Sequence, residues 1–139
     1  MLGGTARAFF DASDLSGIKS AFGDIAQKRT NALFVSADGF LLTHSDQIVA
    51  LASQNAMPAA YGSGQAVRLG GLMSYGTDIQ YAWRQAGIYA GRILKGERPA
   101  VLPVQQITKV ELFINLVTAK ALGITVPVLL LGRADEVIE

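Results

Sequence analysis

The sequence predicts an α/β domain with a mainly parallel sheet and helices on both faces. The chain has 139 residues, enough for one compact domain over residues 1–139 and too few for two. Half of the residues are hydrophobic and 17% are charged, which excludes disorder and provides for a sizeable core. Apolar runs of strand length alternate with apolar stripes of helical spacing. Such alternation implies right-handed crossovers between parallel strands.

The first part of the chain predicts two strands and two helices. A short apolar run at Ala6–Phe10 is typical of a strand. A continuous apolar run at Ala32–Val35 indicates a strand covered on both sides. Thr43–Asp46 has the form of a capping box and predicts the start of the second helix. The first helix is predicted by apolar residues at steps of three and four: Leu15, Ile18, Phe22 and Ile25.

The middle of the chain predicts two short strands and one long helix. Pro58–Tyr61 is a strand whose proline places it near a sheet edge or at a strand start. Leu72–Tyr75 is a second strand, which Gly76 is expected to close. The helix over residues 78–96 ends with a glycine just past its last turn. Its apolar stripe consists of Ile79, Trp83, Ala86, Ala90 and Ile93.

The last part of the chain predicts one or two strands, at Val104–Gln106 and Val110–Ile114, and a short helix at Thr118–Leu122. Gly123 is expected to stop that helix. On the long helix, Gly87 and Gly91 lie four residues apart, which suggests the close approach of another backbone.

Composition excludes several classes of function. The net charge is +1 with no basic cluster longer than two residues, which argues against nucleic acid as a partner. There are no cysteines, so thiolate metal sites and disulfides are absent. The single histidine, His44, is expected to be exposed in a first helical turn and has no partners at catalytic or metal-binding spacing. No cofactor site, metal site or catalytic set is predicted.

The beginning of the chain has no basic region followed by an apolar stretch, so no signal peptide is expected. The longest mainly apolar stretch, Thr125–Leu131, is far shorter than a membrane span. The sequence alone therefore predicts a soluble chain without an export address.

Ligands of open parallel sheets sit at the carboxyl ends of the strands. That rule selects Asp38, which follows a buried strand and can accept a hydrogen bond from a ligand ammonium or hydroxyl. The alternative is an aspartate that forms a turn or caps a nearby helix. Tyr61 and Tyr75 each close a predicted strand and can supply an aromatic wall, or they pack at the sheet rim. Gly62–Gly64 is more typical of a turn than of a phosphate-binding loop.

Several segments closely resemble the C-terminal half of ABC-transporter substrate-binding proteins of the tryptophan/sugar-binding-like group. The resemblance runs from about Ala6 to the last residue. The segments that carry it are Gly70–Gly76, Tyr81–Gly96, Leu102–Gln106, Glu111–Asn115, Thr118–Gly123 and Arg133–Glu139.

The resemblance implies one lobe of a two-lobed clamshell of the type I periplasmic-binding-protein fold, with the first lobe absent. Proteins of this family are exported to the periplasm and deliver a small solute, such as an amino acid, to an ABC permease without catalysis. Their cleft-facing loops correspond here to Asp38, Phe40, Tyr61, Ser74 and Tyr75.

The sequence also departs from the family pattern. Relatives commonly have Asp-Pro-Phe where this chain has Asp38-Gly39-Phe40, and Gly62–Val67 replaces an acidic and aromatic segment. The long helix over residues 78–96 is expected to pack on the missing lobe, so its stripe would be exposed and favours a homodimer. Solute binding by the isolated lobe is expected to be weak.

Three readings remain open at this point. The first is a solute-binding lobe, and the second is a truncated product that has lost ligand binding and forms a homodimeric interaction module. The third is a small enzyme or receiver-like switch that uses Asp38, although the further acidic residues and the lysine of a receiver are not found at the expected positions.

Overall fold

A computed structural model of the chain describes residues 8–106 and 108–139. Three of the four strand pairings are parallel, and only the pairing of β3 with β4 is antiparallel. The predicted mainly parallel sheet is therefore confirmed. The strands lie in the sheet in chain order: β1 (Leu33–Val35), β2 (Ala59–Tyr61), β3 (Met73–Thr77), β4 (Val110–Asn115) and β5 (Glu136–Ile138).

Seven α-helices lie within the described residues, together with a 3-10 turn at Pro99–Val101. None of them is both long and apolar enough to cross a membrane. The helices are α1 (Leu15–Gln27), α2 (Gly39–Thr43), α3 (Ser45–Gln54), α4 (Gly64–Arg68), α5 (Ile79–Leu94), α6 (Leu116–Ala121) and α7 (Val128–Leu131).

The core lies on the face of the sheet that carries Ala59 and Tyr61. Helix α1 contributes Ile18 and Phe22, because the predicted apolar stripe of that helix faces inward. Helix α3 adds its own apolar face, and Ala66 of α4 closes the cluster. The opposite face is only partly covered by the described residues: Phe34 is 66% exposed and Tyr75 is 60% exposed.

Helix α5 belongs to the long connection between β3 and β4. It follows β3, and the chain returns at β4, so Thr77 and Val110 pair side by side at the point of exit and return. Asp78 caps the helix by accepting a hydrogen bond from Tyr81 N at 2.9 Å, and Gly96 follows with φ +97°. No residue of α5 is buried. All five residues of the predicted stripe are exposed, Trp83 to 72%.

Several sequence predictions are wrong in detail. Residues 8–10 form no strand, and the rest of the predicted strand Ala6–Phe10 lies outside the described residues. No strand forms at Val104–Gln106, where Val104 is fully exposed and has nothing to pack against. Strand β3 continues through Gly76 to Thr77 and does not close at Tyr75. Apart from the neighbouring residues and backbone of α5 itself, no described atom lies within 4 Å of a Cβ built at Gly87 or Gly91, so no other backbone approaches closely there.

The predicted capping box at Thr43–Asp46 does not form. Helix α2 occupies the preceding residues, so Thr43 ends α2 and its hydroxyl donates to Gly39 O at 2.8 Å. His44 becomes the N-cap of α3 and makes no side-chain cap bond. It is half-buried rather than exposed, with Nδ1 2.8 Å from Phe40 O and its ring centroid 4.4 Å from that of Phe40.

Candidate functional site

The carboxyl ends of β1, β2 and β3 meet at one edge of the sheet, which we call the strand-end rim (residues 36–40, 62–65 and 76–80). The backbones touch there. Gly62 N donates to Val35 O at 3.0 Å, and a Cβ at Gly62 would lie 2.8 Å from Ala37 Cβ. A Cβ at Gly76 would lie 2.1 Å from Gly62 O. Only glycine allows this approach, so these two positions hold the three loops together.

Each of the three loops leads into a helix that its own polar side chain caps. Asp38 Oδ1 accepts hydrogen bonds from Phe40 N at 2.8 Å and Leu41 N at 3.3 Å. Ser63 accepts from Gln65 N at 3.4 Å, and Asp78 caps α5 as described above. The helix-capping alternative for Asp38 is therefore realised. Its Oδ2 makes no hydrogen bond within the described residues, so one oxygen remains able to accept.

A polar pocket of about 260 Å³ lies on this rim between the first turns of α4 and α5. Ser63, Arg68, Asp78 and Glu111 are among its lining residues. The Arg68 guanidinium lies 5.1 Å from the ring centroid of Phe113. The pocket thus combines hydrogen-bonding groups of both charges with one aromatic ring.

Arg68 also forms a two-bond ion pair across the pocket wall. Its Nε and Nη2 donate to the carboxylate of Glu136 at 3.2 Å and 2.6 Å. These bonds lower the pKa of Glu136 and raise the pKa of Arg68. Because Nη1 has no partner within the described residues, Arg68 retains a free donor of fixed geometry.

Lys109, at the start of β4, joins two carboxylates at the base of α5. Its Nζ lies 2.9 Å from Asp78 Oδ2 and 2.9 Å from Glu111 Oε1. The pKa of Asp78 is lowered first by the hydrogen bond from the Tyr81 backbone and then by that from Lys109. The same ion pairs raise the pKa of Lys109, with Asp78 the larger cause.

Replacing Lys109 with methionine is expected to raise the pKa of Asp78 towards its ordinary value of 3.8. The variant removes the ammonium donor but keeps the Tyr81 bond, so part of the depression remains. Because the folded-state pKa is depressed, the cap contributes stability above the unfolded pKa and loses it as the pH falls through the folded pKa. NMR titration of the Asp78 side-chain carboxyl carbon measures the pKa of Asp78 in the unmodified chain and in the Lys109→Met variant. An Asp78 midpoint that is unchanged in Lys109→Met would contradict the assigned ion pair, and Lys120→Met serves as the control.

The five residues predicted to face a ligand do not converge on one surface. Of these, only Asp38 is exposed on the rim. Phe40 packs against the core cluster, and Tyr61 and Ser74 are neighbours in register with exposures of 3% and 1%. Tyr75 lies in the middle of β3, and the register places it on the opposite face from Tyr61.

The pocket lining and the residues that contact it include side chains that the sequence analysis does not single out. Lys109 and Glu111 reach the rim because β4 runs antiparallel to β3, which the sequence pattern did not reveal. Arg68 arrives through α4, a helix that the sequence pattern does not predict, since the predicted turn covers only Gly62–Gly64. The only sequence signal was an N-cap type of residue, Ser63, directly after a strand.

No group of three or more metal-ligating side chains occurs within residues 8–106 and 108–139. The groups present at the rim and its pocket are hydrogen-bonding side chains, ion pairs and one aromatic ring. The described residues there include no nucleophile paired with a general base.

A family model described as ABC transporter substrate binding protein matches residues 8–138. No curated protein sequence matches the chain. The chain is similar to the structure of a conserved domain protein from Vibrio cholerae O1 biovar El Tor, with 29% identity and a TM-score of 0.78. It is also similar to the structure of an ABC domain from Streptococcus pneumoniae in complex with L-Trp, with 26% identity and a TM-score of 0.81.

The match covers 88% of this chain and 41% of the Vibrio protein, and 93% of this chain and 44% of the Streptococcus protein. The chain thus spans less than half the length of these two structures. A ligand-free, open substrate-binding protein with adhesive properties from Clostridium difficile shares the fold, with 24% identity, a TM-score of 0.52, and coverage of 88% of this chain and 39% of that one.

Proposed function

Because the chain belongs to the family of ABC transporter substrate-binding proteins, we propose that it is a lobe that binds a small solute without catalysis. The rim pocket is the observation that carries this proposal. It lies at the carboxyl ends of parallel strands, where open α/β sheets hold their ligands. Its contents suit a compact solute that carries both a charge and hydrogen-bonding groups.

We propose an amino acid as the solute, in agreement with the L-Trp that the Streptococcus neighbour holds. Arg68, in the pocket lining, keeps Nη1 for a carboxylate. Asp38 lies outside that lining, on the neighbouring loop of the rim, and keeps Oδ2 for the ammonium group of a solute that extends towards it. Phe40, Tyr61, Ser74 and Tyr75 were also expected to face a ligand. Tyr61 and Ser74 are buried, which favours a role in holding the rim loops in place rather than in contacting the solute. Tyr75 is exposed and can contact a second lobe.

The exposed face of α5 supports a two-lobed protein. Helix α5 is amphipathic, yet its apolar stripe is not buried. Such a stripe on a stable protein is usually covered by another surface. A second α/β lobe, packed on α5 and closing over the rim, would cover both features. In such a protein the whole clamshell would work outside the cytoplasm and deliver its solute to an ABC permease.

The proposal predicts that L-tryptophan perturbs the rim. In an NMR titration of ¹⁵N-labelled chain, the largest amide shifts are expected at Asp38, Ser63 and Asp78. Arg68→Gln removes the free guanidinium donor and should weaken binding about tenfold, the order expected for a charge-assisted hydrogen bond. Arg84→Gln, an exposed arginine on α5 outside the pocket, is the matched control. Shifts confined to other surfaces, or equal affinities for the two variants, would overturn this site assignment.

The same exposed stripe favours a second candidate, a homodimer that has lost solute binding. Two copies that pack their α5 helices together would cover Trp83 without a second lobe. The translational diffusion coefficient of the labelled sample distinguishes the two proposals. A dimer without rim shifts would support the interaction module, whereas a monomer with rim shifts would support the solute-binding lobe.

A further inference from the structure

We propose, on the basis of the amino-acid solute assigned above, that Glu111 binds the ammonium group of that solute in the rim pocket. Glu111 and Arg68 both line this pocket. No hydrogen bond or ion pair joins them within the described part of the chain. Two groups of opposite charge therefore border one pocket without neutralising each other.

Strand β4 sets the separation of the two charges. Its side chains alternate between faces, so Glu111 and Phe113 lie on the same face, about 7 Å apart along the strand. The Arg68 guanidinium lies 5.1 Å from the ring centroid of Phe113. A gap of this order suits an amino acid, whose ammonium and carboxylate lie close together and each add a charge-assisted hydrogen bond of about 2.8 Å.

The Glu111 carboxylate is oriented from outside the pocket and keeps an accessible oxygen. Lys109 Nζ lies 2.9 Å from Glu111 Oε1, and Lys109 does not belong to the pocket lining. Glu111 Oε2 has no hydrogen-bond partner among residues 8–106 and 108–139, and the side chain is 26% exposed. Glu111 therefore offers the pocket a carboxylate oxygen that a solute can reach.

Arg68 is held in the same way. Both of its hydrogen bonds go to Glu136, which also lies outside the pocket lining, and its side chain is 52% exposed. The pKa of Arg68 is raised chiefly by the hydrogen bonds to Glu136 and, to a smaller extent, by the charge of Glu111. The guanidinium and the Glu111 carboxylate are thus close enough to interact, and each keeps one free atom for a solute.

The balance of charge favours an ammonium group. Lys109 supplies one positive charge to two carboxylates, Asp78 and Glu111, whereas Arg68 and Glu136 neutralise each other. One negative charge of this cluster is left over, and a solute ammonium at Glu111 would neutralise it. The pocket therefore suits a solute with a free ammonium and a free carboxylate, and disfavours a simple carboxylate.

Glu111 and Asp38 differ in the solute that each can serve. Asp38 lies outside the pocket lining, so it meets only a solute that extends along the rim. Glu111 belongs to the lining and meets a solute that stays within the pocket. Substitution of each residue in turn separates the two assignments.

The test compares L-tryptophan with indole-3-propionate, which lacks only the ammonium group, in NMR titrations of the ¹⁵N-labelled chain. L-Tryptophan is expected to bind about tenfold more tightly. Glu111→Gln removes the charge but leaves an oxygen that accepts from Lys109, so this variant should lose most of the preference without loss of the ion-pair geometry. A preference that is unchanged in Glu111→Gln, or is missing from the unmodified chain, would overturn the assignment.

Two further variants locate the effect. Glu139→Gln makes the same change at an exposed residue outside the pocket, and it should keep the full preference. Loss of the preference in Asp38→Asn and not in Glu111→Gln would make Asp38 the ammonium partner; the role of Glu111 would then be wrong, and the proposed solute-binding function would stand. Absence of rim shifts with both probes would overturn the proposed function and the role of Glu111 together.

A measurement on the unmodified chain does not depend on the folding of any variant. The signal of the Glu111 side-chain carboxyl carbon is expected to shift on addition of L-tryptophan and to stay in place on addition of indole-3-propionate. Equal shifts with the two probes would contradict a contact between Glu111 and the ammonium group.

Discussion

Gly76→Ala is expected to destabilise the chain by about 3 kcal/mol or more. The new methyl group would lie 2.1 Å from Gly62 O, well inside contact distance of a backbone atom that cannot rotate away. Relief requires that β2 and β3 separate at the point where both strands join the rim. That movement would disturb the parallel pairing of Tyr61 with Ser74, in the centre of the sheet. Urea unfolding monitored by circular dichroism measures the loss as a lower midpoint.

Gly39→Ala provides the matched control for this prediction. Gly39 lies on the same rim at the start of α2, and the described residues leave open space around its position. Alanine there should change the free energy of unfolding by less than about 1 kcal/mol, in the stabilising direction, because alanine favours the helix. Similar midpoints for the two variants would show that the close approach of Gly76 to Gly62 does not determine stability.

The affinity of this chain for L-tryptophan is expected to be about a thousandfold weaker than that of a complete two-lobed protein. A clamshell that binds with a Kd of about 1 μM gains about −8 kcal/mol from its ligand. If one lobe supplies half of that free energy, about −4 kcal/mol remains, which corresponds to a Kd of about 1 mM. The open rim pocket is consistent with this, since its lining residue Arg68 and the ion-pair partner of Arg68, Glu136, stay partly exposed.

Titration calorimetry on this chain and on the full Streptococcus protein, under the same buffer conditions, measures the difference. The Streptococcus protein serves as the positive control because its structure contains L-Trp. A micromolar Kd for this chain would show that one lobe carries nearly all of the binding free energy. It would also remove the energetic reason for a closing lobe.

Long elements could be predicted from the sequence because their periodicity extends over many residues. Helices α1 and α5 have 13 and 16 residues, so their apolar stripes recur several times. Helices α2 and α4 have five residues each, too few for a stripe to be recognised. Strand β5 has three residues, and its formation depends on pairing with β4, a distant part of the chain. The sequence around β5 does not indicate that this segment pairs with β4.

The strand-end rule and the structure select overlapping loops but different side chains for the candidate site. The rule selects the loops of Asp38 and Gly62–Gly64, and the structure places both loops at the carboxyl ends of parallel strands. Gly76 was misinterpreted as a strand end. It is a glycine because a neighbouring carbonyl oxygen leaves no room for a Cβ, and β3 continues past it. Because β3 continues to Thr77, Asp78 reaches the rim, whereas the pairing of Tyr61 with Ser74 places Tyr75 on the opposite face.

The connection that contains α5 leaves the sheet and rejoins it at adjacent positions, so it is an insert between two paired strands. Thr77 and Val110 pair directly, and Asp78 N donates to Lys109 O at 3.3 Å, so β3 and β4 form a hairpin into which residues 79–108 are inserted. The sheet register is set by the hairpin and does not require the insert. Insertions between paired strand ends are the kind that proteins exchange most readily, because their loss leaves the parent core intact. The same sheet can therefore accept inserts of different length and surface chemistry.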